Sequence, residues 1–176
     1  MTKKTIELLI PAILSIFMLA SMSCAANQGN SAPSFTLTDV KGSQVTLADF
    51  KGQKAVLLIF FNYRTGTGQD PILQSYLAYY QGMDRLQVLS IVNRKHLTDE
   101  MKQYAAGQAQ QQLGGFGHAT PLRDEDGSVS QAFGANPDKL TIVLVDRAGR
   151  ISFRQEVDAV AETNTELANQ VEELTR

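Results

Sequence analysis

An α/β domain is predicted by three observations. Ala55 to Phe61 is a run of seven apolar residues, the mark of a strand buried on both faces. A short polar, glycine-rich turn follows from Asn62 to Gln69, and Asp70 and Pro71 then open an amphipathic helix. A second buried strand, Leu86 to Val92, comes next. This order places the turn at the carboxyl end of a central strand, where ligands and catalytic groups sit in open α/β sheets.

The chain has 176 residues, 43% hydrophobic and 19% charged, which suits one globular domain with a sizeable core. Its formal charge of −2 leaves no basic field, so nucleic acid is not an expected partner. Cys24 is the single cysteine, which excludes an intrachain disulfide and a cysteine-based zinc cage.

Residues 1–23 read as an export signal: Lys3 and Lys4, an apolar stretch from Ile6 to Ala20, then small residues. The apolar part, about 15 residues and interrupted by Pro11, is shorter than the roughly 20 that span a bilayer. Cys24 resembles the lipid-modified cysteine of bacterial lipoproteins, although Ser21 and Met22 depart from that pattern and only Ser23 fits it. The alternative is ordinary cleavage after Ala26. Either route predicts an exported, cell-envelope or periplasmic protein, touching the membrane only through an N-terminal anchor. Residues 24–31 form a small, polar tether, and the domain is expected to occupy residues 32–176.

Phe35 and Leu37 alternate with polar residues, as do Val45 and Leu47, predicting two half-buried strands around a turn at Asp39 to Gly42. Ala48 to Gly52 leads into the central strand. In the helix after the turn, Ile72, Leu73, Tyr76, Leu77, Tyr80 and Met83 share one face, predicting a helix from Pro71 to Met83. Asp70 is placed to cap it, and Pro71 gives up a donor that would have had no partner.

Thr98, Asp99 and Glu100 start a further helix, which includes Met101, Tyr104 and Ala105 and frays in the glutamine-rich tail Gln108 to Gln112. Gly114, Gly115 and Gly117 mark a mobile loop. Ala119 to Leu122 reads as a short strand, Ser128 to Phe133 as a short helix and Thr141 to Val145 as a strand. Asp146 to Gly149 turns the chain into a last strand, Arg150 to Val157. Thr163 and Glu166 have capping-box spacing, and Leu167, Val171 and Leu174 form the inward face of the final helix.

The run APSFTLTDVKGSQVTLADFKGQKAVLLIFF resembles the N-terminal half of the redoxin families, the peroxiredoxins and the membrane-tethered thiol-disulfide oxidoreductases. Leu122 to Gly127, Ala132 to Gly134 and Leu144 to Ile151 are similar to the C-terminal half. The resemblance implies a thioredoxin-like fold: a central mixed sheet flanked by helices on both faces, preceded by an N-terminal β-hairpin.

It also implies a site. The oxidoreductases carry Cys-x-x-Cys where the central strand meets its helix, with the thiolate as the reacting species. The matching positions are Thr65, Gly66, Thr67 and Gly68. The peroxiredoxin pattern Thr-x-x-Cys is only half matched, since Thr65-x-x-Gly68 and Thr67-x-x-Asp70 both end without a thiol. The place of the cis-proline or arginine of those families, six residues before Asp146, is held by Leu140, with Lys139 expected to face the other way. Dithiol exchange and peroxide reduction by this turn are thereby excluded.

The expected role is binding of a protein or small molecule by the vacated turn, Tyr63, Arg64, Thr65, Gly66, Thr67, Gly68 and Asp70, beside Leu140. A redox or antioxidant role with the thiol supplied by a partner is the alternative. Arg64 next to Gly66-Thr67-Gly68 also has the parts of a small-anion cradle, weighed against a solvated loop whose glycines serve only the backbone. His96 and His118 lack ligand spacing, and Asp124-Glu125-Asp126-Gly127 falls short of a calcium loop. It reads instead as a charged hairpin or helix-start turn. No cofactor and no metal is expected.

Overall fold

A computed structural model of the chain describes residues 28–62, 71–80, 82–112, 119–157 and 165–176. Residues 1–23, expected to be an export signal, Cys24, the turn from Tyr63 to Asp70, the glycines at 114, 115 and 117, His118 and Thr163 lie outside the described residues.

Seven strands form one mixed sheet in the order β2-β1-β5-β4-β3-β6-β7. The entry hairpin is β1 (Thr36–Asp39) and β2 (Gln44–Thr46), antiparallel, with Leu37 opposite Val45. Its turn is held by Asp39, whose carboxylate accepts the N–H groups of Lys41 and Ser43 at 2.8 Å each. Leu47 does not extend the second strand as its alternation with Val45 predicts. It begins a 3₁₀ turn, Leu47–Phe50, because Thr46 and Asp49 close a capping box around that turn.

The centre of the sheet is β3 (Ala55–Asn62), parallel to β4 (Leu86–Asn93) and antiparallel to β6 (Leu140–Val145). β5 (Ala119–Asp124) runs parallel to β4 and reaches Asp124, two residues beyond its predicted end. β6 begins at Leu140, one residue early, and β7 (Ile151–Val157) one residue late. These strand ends are set by pairing with neighbours, which local alternation does not encode.

The helices are α1 (Pro71–Tyr80), α2 (Asp99–Gln112), α3 (Ser128–Ala132) and α4 (Thr165–Thr175). α1 stops at Tyr80 rather than Met83. Gly82 follows with φ of +82°, a left-handed backbone that ends a helix and suits glycine. Met83 lies past the helix end yet still packs on the core. α2 carries the helix through the glutamine tail to Gln112, and Thr98 Oγ1 accepts the Met101 N–H at its start. Asp124 to Gly127 is a helix-start turn, leading directly into α3.

Side chains alternate through β3 and separate two cores. Val56, Leu58 and Phe60 join Phe35, Leu37, Val129 and Phe133 on one face. Ala55, Leu57 and Ile59 meet Leu73, Leu77 and Tyr80 of α1 and Leu167 and Val171 of α4 on the other. Both faces of β3 are therefore covered, which explains its unbroken apolar run.

Candidate functional site

The carboxyl ends of three parallel strands and the amino end of β6 meet at one edge of the sheet. Register aligns Asn62 with Asn93, and Asn93 with Asp124. Paired residues of neighbouring strands share a face. Asn62, Asn93 and Asp124 thus form a polar row, one step beyond the alternating apolar positions Phe60, Ile91 and Leu122 on the α3 side. None of the three was anticipated as a site residue. Asn62 opens the polar turn that the sequence marks, and Asp124 begins the charged run at the end of β5.

Each member of the row is tied down. Asn62 Nδ2 donates to the Pro137 carbonyl at 2.9 Å, joining the end of β3 to the loop that enters β6. Asn93 Oδ1 accepts the Lys95 N–H at 3.1 Å. The Asp124 carboxylate is fully buried and accepts the Ser130 N–H at 2.7 Å and its hydroxyl at 2.6 Å, with the Val129 N–H at 3.4 Å. A buried carboxylate needs such donors to offset lost hydration. These bonds hold α3 against the strand ends.

Beside the row, Arg94 is buried and pairs with the half-exposed Glu125 at 2.7 Å. Its main-chain N–H donates to the Asp124 carbonyl at 2.8 Å. Its Nε is buried with no hydrogen-bond partner among the described residues. The next loop is fixed from β7: Asn136 Nδ2 donates to Glu156 Oε2 at 2.8 Å, and Arg154 Nη2 donates to the Gly134 carbonyl at 2.7 Å and to Glu156 at 3.1 Å. The Asn136 hydrogen bond first, and Arg154 with it, hold the Glu156 carboxyl below its ordinary range. Thr141 Oγ1 accepts the Asn136 N–H at 2.9 Å.

Leu140 stands on the opposite face of the sheet from the polar row. It is only 4% exposed and packs in the core that contains α1 and α4, together with Phe61. It is therefore part of the apolar floor on the side from which α1 departs. Lys139 lies close enough to Glu156 to lower that carboxyl, and Glu156 is paired with Thr141, so Lys139 acts on the other face from Leu140. Tyr63, Arg64, Thr65, Gly66, Thr67, Gly68 and Asp70 fall between the described ends of β3 and α1, and Cys24 precedes the described chain.

Chemically, the described edge offers amides, a buried carboxylate and an arginine–glutamate pair, all engaged in holding loops. Among the described residues no group of three histidine, cysteine or acidic side chains converges as metal ligands would. His96 is exposed.

The relatives agree with this architecture. The exposed lipoprotein thioredoxin of Streptococcus pneumoniae strain TIGR4 is 22% identical, with a TM-score of 0.57 over 81% of this chain and 100% of the other. A candidate thiol:disulfide interchange protein, DsbE, of Chlorobium tepidum is 22% identical, with a TM-score of 0.61 over 86% and 99%. A peroxiredoxin-like protein of Aquifex aeolicus is 15% identical, with a TM-score of 0.58 over 84% and 87%. At these identities the likeness establishes the thioredoxin-like fold. Among curated proteins none matches this sequence. The Redoxin family model matches residues 27–171, a span that contains no cysteine. The chain belongs to the Redoxin family.

Proposed function

We propose that this is an exported Redoxin-family protein that acts by binding, not by thiol chemistry, with a protein or small ligand held at the turn between β3 and α1. The observation that carries this reading is the absence of cysteine from the whole matched span, residues 27–171. Where the family resemblance expects a thiolate, this chain has threonine hydroxyls and glycines at 65–68. A hydroxyl, whose proton is held far above neutral pH, cannot replace a redox-active sulfur. In the sequence these residues connect strand β3 to helix α1, which packs on it.

The export signal and the lipoprotein thioredoxin among the structural relatives support a place in the cell envelope. The thiol-disulfide relatives keep the alternative in view, a redox role in which a partner supplies the sulfur.

The test takes the purified protein and measures peroxide consumption and dithiol-dependent disulfide reduction. Rates at the protein-free blank are expected for the native chain and for Cys24→Ser. Turnover clearly above the blank overturns the non-catalytic reading. Binding is tested by a photo-crosslinking residue at position 63, expected to form a defined adduct in intact cells that a crosslinker at exposed Tyr104 does not form. The same adducts from both positions, or none from position 63, argue against the turn.

A further inference from the structure

The described chain begins at residue 28 and is stitched at once to the end of the sheet opposite the candidate site. Gly29 N–H donates to the Ile151 carbonyl at 2.8 Å, Ile151 N–H to Asn30 at 2.9 Å, and Ala32 N–H to Gly149 at 2.9 Å. Ser31 bridges Arg150. Residues 29–32 are therefore pinned to the turn between β6 and β7. The same turn meets the loop before β3, where Gly52 N–H donates to the Arg147 carbonyl at 2.8 Å and the Lys51 side chain runs past Gly149.

Four cations lie on these segments: Lys51 and Lys54 line a groove before β3, and Arg147 and Arg150 stand on the adjoining β6–β7 turn. None has an ion-pair partner among the described residues. Asp146 accepts the Arg150 N–H and Asp49 the Thr46 N–H, each at 2.8 Å, and neither forms an ion pair with these cations among the described residues. Between the 3₁₀ turn and the β6–β7 turn lies a groove of about 200 Å³, its two lysines beside Phe50, Ala48 and Val145. On a chain of net charge −2 this is a local reversal of sign.

We propose that this end of the domain is a contact surface for anionic lipid headgroups, with Lys51, Lys54, Arg147 and Arg150 against the bilayer and the carboxyl edge of the sheet turned away from it. Part of the argument rests on the reading of Cys24 as a lipid-anchored residue. Cys24 stands five residues before Gly29, the first residue hydrogen-bonded to this end, so even a fully extended chain reaches only about 17 Å. An anchor that short brings the pinned end, and no other, to the headgroups. Charge complementarity then favours anionic lipid, each cation strengthening contact about fivefold near such a surface. β3, eight residues long, sets the candidate turn about 25 Å further out.

Hydrogen exchange of the full chain on vesicles tests this. One set is phosphatidylcholine alone, the other equal parts phosphatidylcholine and phosphatidylglycerol. Slower exchange is expected over residues 48–54 and 146–152 on the anionic vesicles only, reversed by high salt and lost when all four cations are replaced by glutamate. Equal exchange on both vesicles, or protection at 93–97 and 124–130 instead, overturns the proposal. The wild-type comparison stands even where the four-fold variant does not fold. Intact mass reads the lipid on Cys24 separately: an unmodified Cys24 with anionic-vesicle protection removes the anchor and leaves the surface.

Discussion

Asp124 at the end of β5 accepts both the main-chain N–H of Ser130, at 2.7 Å, and its hydroxyl, at 2.6 Å, with neither residue open to solvent. The pair ties α3 to the strand edge that frames the candidate site. Asp124→Asn places an amide N–H₂ among donors, leaving buried hydrogen-bonding groups unmatched. A loss of about 2–3 kcal/mol in unfolding free energy is expected, measured by urea titration. A change below about 0.5 kcal/mol would show that the carboxylate is dispensable to α3.

Phe133 is the apolar counterpart of that tie. It is fully buried, with its ring 5.2 Å from Phe60 and 6.1 Å from Phe35, so it joins α3 to the central strand and the entry segment. Phe133→Ala removes these contacts and leaves a cavity, at an expected cost of about 3–5 kcal/mol. Phe133→Leu is expected to recover much of it.

Gly127 precedes α3 with φ of +74°, and a Cβ there would stand 3.0 Å from the Asn93 side-chain amide. Gly127→Ala meets two separate costs: about 1–2 kcal/mol for a left-handed backbone, and displacement of Asn93 from the polar row. Combining it with Asn93→Ala should relieve only the second. A double variant as stable as Asn93→Ala alone would show that the backbone conformation carries no cost.

Tyr80 of α1 is buried, and burial first, then the neighbouring hydroxyls of Tyr76 and Tyr79, raises its phenol well above the ordinary value of 10.0. Tyr76 is raised by burial as well. The folded state keeps these protons at a pH where the unfolded chain has released them. Their contribution to stability is complete below about pH 10 and is lost as pH rises toward the folded-state values. Urea midpoints should therefore fall from pH 10 upward, less steeply in Tyr76→Phe/Tyr80→Phe. An unchanged alkaline slope in that double variant would assign the effect to other groups.

Much of the fold was legible because its main signals are local. The seven apolar residues before the turn, the period of Leu73, Leu77 and Tyr80, and the inward face Leu167, Val171 and Leu174 each report burial from a single segment. The errors fell at boundaries. Met83 kept helical spacing after the helix had ended, because a side chain can reach the core from a loop as well as from the last turn. Leu47 kept strand spacing inside a 3₁₀ turn for the same reason.

Whether the family span carries a thiol is read from the sequence alone, since a cysteine is either encoded or it is not. Residues 27–171 encode none. Which groups share the carboxyl edge of the sheet was decided only by tertiary structure. Asn62, Asn93 and Asp124 come from segments about thirty residues apart and share a row through strand register, a property of pairing that no single segment carries. The same holds at the far end, where backbone hydrogen bonds bring residues 29–32, the loop before β3 and the β6–β7 turn together although they are distant in sequence.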